Sequence, residues 1–283
     1  MQSNPSLTNS LPTNTRPNKA IEALIMDMAG TCVDFGSLAP VQAFLQLFAQ
    51  EGVPLTEAQA RAPMGTEKRE HIRQLLAMPE VASQWQRVKG QAANEQDIDR
   101  LYQDFLPLQL ATIGQRAELI AGYDSLKQYC QQLGIAMALN TGYNRTMVEA
   151  MLPQLSAKGL QADSLVCAPE VPKGRPYPHM SLKNALELGV SAVQCCIKVD
   201  DTLTGIEEGR NAGMWTVAVS ISGNALGLDW PAWQALSAEQ QAQARAKAEA
   251  SFAGRAHYVI DSIAQLPELM AAINLRLAKG ELP

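Results

Sequence analysis

The sequence predicts an α/β protein, a Rossmann-like doubly wound parallel sheet with an all-helical cap domain inserted after its first strand. Short apolar runs that read as buried strands alternate with segments of helical period, which argues for parallel strands covered by helices on both faces. One long stretch, residues 37–114, carries helical signals but no convincing buried strand. Residues able to do chemistry recur just after the apolar runs, at the strand ends where ligands bind in such sheets.

The first run, residues 21–26, ends at a glycine-containing turn. Residues 135–139 form another run, followed by a polar turn Asn140-Thr141-Gly142. Residues 165–167, 195–199 and 215–219 read as three further strands. Residues 147–155, 180–188 and 204–211 between them have helical spacing, as do 41–50, 67–76 and 95–110 in the inserted stretch. Ser237 and Gln240 stand at capping-box spacing and open a solvated helix over 237–250. The expected organisation is a flexible tail over 1–20, an α/β core over 21–36 and 115–283, and a helical cap over 37–114. No internal repeat is apparent.

The chain has 283 residues, 47% of them hydrophobic, enough for a core domain with a smaller companion. Its net charge is −5 and its Lys and Arg are not clustered, which excludes a dedicated nucleic-acid binder. No stretch approaches the roughly 20 apolar residues that cross a bilayer, and the polar start lacks a secretory apolar run. The expectation is a cytoplasmic protein without membrane partners. Five cysteines, an odd number at no zinc-binding spacing, read as buried thiols of a reducing compartment.

The segment Asp27-Met-Ala-Gly-Thr-Cys-Val-Asp34 follows the first strand directly. Alone, Asp27 reads equally well as a turn or helix-cap aspartate. Thr141 after the second strand, Asp200-Asp201 after residues 195–199, and the cationic loop Lys173-Gly-Arg-Pro-Tyr-Pro178 between them shift that balance. An Asp-x-x-Gly-Thr-x-x-Asp opening, then Thr, then Lys or Arg, then an acidic pair, resembles the haloacid dehalogenase superfamily over most of the core. Phosphoryl transfer needs a nucleophile, neutralisation of the phosphoryl oxygens and a metal ion. The resemblance implies Asp27 as nucleophile, Thr141 as hydroxyl donor to a phosphoryl oxygen, and Arg175 as a planar cation for phosphate. It implies magnesium (Mg2+), held by Asp27, the Ala29 carbonyl and Asp201.

Phosphatases of the superfamily usually place a general acid two residues after the nucleophile, and Ala29 cannot donate a proton. Asp-x-Ala-Gly-Thr resembles the phosphonoacetaldehyde hydrolase family. There a cap lysine in a Met-Gly-x-x-Lys sequence forms a Schiff base that accepts the electrons of the broken carbon–phosphorus bond. The match is Met64-Gly65-Thr66-Glu67-Lys68, making Lys68 the expected amine and Met64 and Gly65 expected substrate contacts. His71, on the same helix face as Lys68, matches a family histidine and is expected to shuttle protons near the amine. Without these matches both would read as ordinary helix-surface residues. Gly142 and Tyr143 match as lining of the phosphonate pocket. Family members pair through their caps, which implies a homodimer.

A Schiff-base lysine must be partly neutral, hence desolvated or near another cation; Arg69 and Arg73 are close in sequence. One departure concerns the last motif: some relatives have Gly-Asp-Thr-x-x-Asp, whereas here it reads Asp200-Asp201-Thr-Leu-Thr-Gly205. The acid at position 205 is absent, and Asp200 is the candidate substitute. The alternative functions are another superfamily phosphatase acting on a small phosphorylated metabolite, a dehalogenase, or a non-catalytic phosphate-binding protein. Ala29 disfavours the first. Dehalogenation needs neither the acidic metal site nor a phosphate clamp, and the intact nucleophile argues against the last.

Overall fold

The computed structural model describes residues 20–283; most of the expected N-terminal tail lies outside them. The strands are β1 (Ala23–Met26), β2 (Ala136–Thr141), β3 (Ser164–Cys167), β4 (Cys196–Asp200), β5 (Trp215–Val219) and β6 (Tyr258–Ile260). They form one six-stranded sheet in the order β3-β2-β1-β4-β5-β6, and every pairing is parallel. All residues of β1, β4 and β5 are buried, as expected for strands covered on both faces.

The core helices are α6 (Tyr123–Leu133), α7 (Arg145–Ala157), α8 (His179–Leu188), α9 (Leu203–Asn211), α10 (Trp230–Ala235), α11 (Ala238–Phe252) and α12 (Leu266–Ala278). Ser237 caps α11 through the capping box that the sequence implies: its hydroxyl accepts from the Gln240 amide at 3.2 Å. Strand β1 pairs with β2 on one side and β4 on the other, so the chain leaves the sheet centre in both directions. The crevice at that switch point is where doubly wound sheets bind ligands.

Between β1 and β2 lie five helices: α1 (Leu38–Gln50), α2 (Glu57–Arg61), α3 (Lys68–Ala77), α4 (Pro79–Lys89) and α5 (Glu95–Ile113). Helix α1 packs along α5, and α3 lies against α4 and α5. Phe44 of α1 stacks on Phe105 of α5 with ring centroids 4.4 Å apart. The insertion is not isolated from the sheet. Helix α5 packs on α7, Asn144 donates to the Tyr102 hydroxyl at 3.1 Å, and one apolar cluster runs from Met26 and Val33 to Phe44 and Phe105.

Asp34 organises the exit from the core into the insertion. Ser37 precedes α1 in a left-handed conformation and makes no side-chain cap. The Asp34 carboxylate supplies the cap instead, accepting from the Ala39 amide at 2.9 Å. Burial pushes this carboxyl up to about 6.

Two sequence expectations are corrected. Asn140 and Thr141 are strand, not turn, because β2 continues through Thr141. Strand β6, three half-buried residues at the sheet edge, was not anticipated. No helix among the described residues is long and apolar enough to cross a membrane.

Candidate active site

Strand β1 delivers Asp27 to the middle of the sheet's carboxyl edge, where its amide still donates to the Val199 carbonyl at 3.0 Å. The loop after it must turn sharply against β4. A Cβ at Gly30, whose φ is +86°, would meet the Asp201 carboxylate at 2.2 Å. β2 brings Thr141, β4 brings Asp200 and Asp201, and the loop before α8 brings Arg175.

Asp27, Ala29, Met64, Gly65, Lys68, Thr141, Gly142, Tyr143, Arg175 and Asp201 all line one cavity, with Ser37, Pro40 and Thr202. Residues expected from both the core and the insertion thus meet. The cavity is tight, about 20 Å3, roughly the room for one water molecule.

Arg175 is 5% exposed and ties several segments of the site together. Its guanidinium donates to Asp27 Oδ1 at 2.8 Å, to Asn140 Oδ1 at 2.7 Å and to Glu208 Oε2 at 2.9 Å. It also donates to the Gly65 carbonyl of the insertion at 3.3 Å. A planar fork is suited to this several-way contact in a way that a lysine is not. Lys198, fully buried within β4, contacts Asp200 Oδ2 at 2.9 Å and donates to Asn140 Oδ1 at 2.5 Å. Glu208 Oε1 accepts from the Ser181 amide and hydroxyl at 2.8 and 2.7 Å.

Asp27, Asp200 and Asp201 bring carboxylate oxygens within 4.8 Å of one another. Burial raises the Asp27 carboxyl, and Arg175 opposes that. Burial also works to raise Asp200, but Arg175 and Lys198 outweigh it and hold Asp200 low. Asp201 has no such relief. Burial and then Asp27 and Asp200 raise it well above the carboxylate range, with the Asn224 amide, donating at 2.8 Å, opposing. The buried site sets three cations, Arg175, Lys198 and Lys68, against four carboxylates, counting Glu208. The carboxylates outnumber the cations, and the all-oxygen donor set is the hard kind that magnesium takes. The residues present fit the ion.

Lys68 is the first residue of α3, where the helix N-terminus disfavours a positive charge. It is 3% exposed and lies over the rings of Tyr143 and Phe44, 5.2 and 5.7 Å from their centroids. Burial pushes the amine down to about 8; Asp27 and Glu67 oppose and Arg175 assists. Arg69 and Arg73 are not the assisting cations: both turn outward to Glu95, and Arg69 also to Asp99.

His71 does not line the cavity. It is fully buried, stacked on Phe44 at 3.9 Å, with Nε2 at 3.0 Å from the Ala60 carbonyl. A carbonyl only accepts, so Nε2 carries the proton and Nδ1 is left bare and without a hydrogen-bond partner. Burial, then Lys68, holds the ring well below the ordinary histidine range, so it is neutral.

Lys198, Asn140 and Glu208 were missed as site residues. Lys198 carried a usable signal, since a lysine within an otherwise apolar buried strand demands a partner.

The profile of the haloacid dehalogenase-like hydrolases matches residues 21–213. The chain is 50% identical over 264 residues to a phosphonoacetaldehyde hydrolase of Hahella chejuensis, covering 93% of this chain and 90% of that one. A phosphonoacetaldehyde hydrolase of Pseudomonas putida is 45% identical over 264 residues, covering 93% and 96%. The crystal structure of a phosphonoacetaldehyde hydrolase-like protein from Oleispira antarctica superposes with a TM-score of 0.91 at 52% identity, covering 93% and 96%.

Proposed function

Since the chain belongs to the haloacid dehalogenase-like hydrolases, and within them to the phosphonoacetaldehyde hydrolase family, we propose that it hydrolyses phosphonoacetaldehyde to acetaldehyde and phosphate. The observation that carries this reading is the burial of the Lys68 amine in the same cavity as Asp27.

Breaking a carbon–phosphorus bond heterolytically leaves an electron pair on carbon, and the chain has to receive it. The neutral fraction of Lys68, large for an amine near 8, adds to the aldehyde carbonyl and expels water to give a protonated Schiff base. Arg175 and Thr141 orient the phosphonate oxygens. The Asp27 carboxylate attacks phosphorus, the carbon–phosphorus electrons move into the iminium, and an enamine remains on Lys68. Protonation at carbon and hydrolysis free acetaldehyde, while water cleaves the aspartyl phosphate. A magnesium ion held by Asp27, Asp201 and the Ala29 carbonyl would neutralise charge between nucleophile and phosphonate. His71 stands outside the cavity, and the burial and Lys68 charge that keep its ring neutral disfavour protonation, so it packs against Phe44 in this mechanism and carries no proton-shuttle step. Residues 37–114 act as the cap that closes over the core. The tight cavity implies that it opens to admit substrate.

Pairing through this cap as a homodimer and a cytoplasmic location accompany the proposal; five buried cysteines suit a reducing compartment. A phosphatase is the weaker reading, because Ala29 stands where an ester's leaving group would need an acid. Incubation with phosphonoacetaldehyde and borohydride tests the proposal. Reduction should attach the two-carbon adduct to Lys68 and abolish turnover; an unmodified Lys68 with activity intact would overturn it.

A further inference from the structure

We infer that Arg61 is the latch that holds the helical insertion closed and couples its position to Asp201. Arg61 is the last residue of α2, three residues before Met64, and its side chain crosses from the insertion to the core. One guanidinium nitrogen donates to the Gly36 carbonyl at 3.0 Å and to Asn224 Oδ1 at 3.2 Å. The other donates to the Gly227 carbonyl at 3.0 Å and is held from its own helix by Glu57 at 2.9 Å. Gly36 belongs to the connection leaving the core, and Asn224 and Gly227 to the loop after β5. A single side chain, 12% exposed, therefore ties three separate segments together.

The link to Asp201 is direct. The amide of Asn224 donates to Asp201 Oδ2 at 2.8 Å, while its side-chain Nδ2 returns to the Arg61 carbonyl at 3.4 Å. A cavity of about 290 Å3, lined among others by Arg61, Asp201, Thr202 and Asn224, lies on this side of the site. Opening the insertion must break the guanidinium contacts, and breaking them frees the loop whose amide orients Asp201. Arg61 touches neither Asp27 nor the Lys68 cavity. It acts through other residues and is a positioning residue.

The coupling to a metal ligand rests on the proposed function, but the latch itself does not, so two measurements separate them. In the full chain without metal or substrate, peptide-resolved labelling of Lys68 by an amine-reactive reagent reads how often the insertion opens. Losing several charge-assisted hydrogen bonds in Arg61→Ala should speed this labelling about tenfold or more, with Arg61→Lys intermediate. The magnesium concentration giving half-maximal thermal stabilisation should rise several-fold in the same variant. Unchanged Lys68 labelling overturns the latch. Faster labelling with an unchanged magnesium midpoint overturns the coupling to Asp201. Should Arg61→Ala fail to fold, Asn224→Ala carries the test, since it removes the Oδ1 acceptor and keeps the backbone amide on Asp201. It should then raise both readouts in the same direction.

Discussion

The Asp200 carboxylate occupies the space in which a side chain at Gly205 would begin: a Cβ there would lie 2.0 Å from Asp200 Cγ. Asp200 comes from the end of β4 and position 205 from the first turn of α9, so one acid can be supplied from either place but not from both. This explains the departure in the last acidic motif. The negative charge that some relatives carry at the helix position is carried here by the strand, where it meets Arg175 at 3.2 Å and Lys198 at 2.9 Å.

Gly205→Ala should therefore displace Asp200 from its two cations and cost about 1–3 kcal/mol by overpacking, with a large loss of turnover. Gly205→Asp should be worse alone, adding a fifth carboxylate to a buried cluster. Combining it with Asp200→Gly should restore much of the loss. Melting curves and kcat for the three variants check this, and a double variant no better than Gly205→Asp would refute the exchange.

Much of this arrangement was legible in the sequence, for physical reasons that also explain the failures. Asp27, Thr141, Arg175 and Asp201 could be read because each follows an apolar run or sits in a proline-stiffened loop, and strand ends are where parallel sheets put ligands. Asn140 was read as turn because it is polar. It is buried strand because Arg175, Lys198 and Ser181 satisfy its amide from other parts of the chain, and no local pattern announces such partners. His71 sharing a face with Lys68 was visible from helical spacing. That its ring stacks on Phe44 from another helix was not.

Lys68 should leave a signature in stability as well as in activity. Its folded value, about 8, lies below the ordinary lysine value, so between about pH 8 and 10.5 the unfolded chain binds more protons than the folded one. Stability attributable to this residue then rises with pH across that window, and below it burial of the charged amine costs roughly 3 kcal/mol. Lys68→Met should abolish turnover yet raise the melting temperature at pH 7, with the gain shrinking towards pH 10. A variant less stable than the native chain at pH 7 would contradict this. In the native enzyme, kcat/KM should climb with pH up to a limb near 8, as the free amine becomes available.

Asp201 predicts the opposite proton competition. Its carboxyl is raised well above the ordinary range, so at low pH a proton takes the position that a divalent cation would fill. Thermal stabilisation by added magnesium should be strong at pH 8 and weaken progressively as the pH falls, which a thermal-shift titration at several pH values measures directly. Chelation should stop phosphate release while borohydride trapping on Lys68 continues, because Schiff-base formation draws on the amine alone. Loss of trapping on chelation would mean that the two halves of the site are not separable.

Ala29 offers the sharpest division between carbon–phosphorus cleavage and ester hydrolysis. In the proposed mechanism the iminium on Lys68 takes the electrons of the phosphonate without an acid, but an alkoxide leaving from an alkyl phosphate needs a proton. Ala29 lines the cavity beside Asp27, so a carboxyl introduced there would reach the leaving group. General acids contribute about 10²–10⁴-fold, and Ala29→Asp should raise hydrolysis of an alkyl phosphate by a factor within that span while leaving phosphonoacetaldehyde turnover no faster. Phosphate release from the two substrates, measured side by side in the native chain and the variant, decides it. Native hydrolysis of the ester at a rate comparable to the phosphonate would favour a phosphatase, since it would mean that the missing acid was never needed.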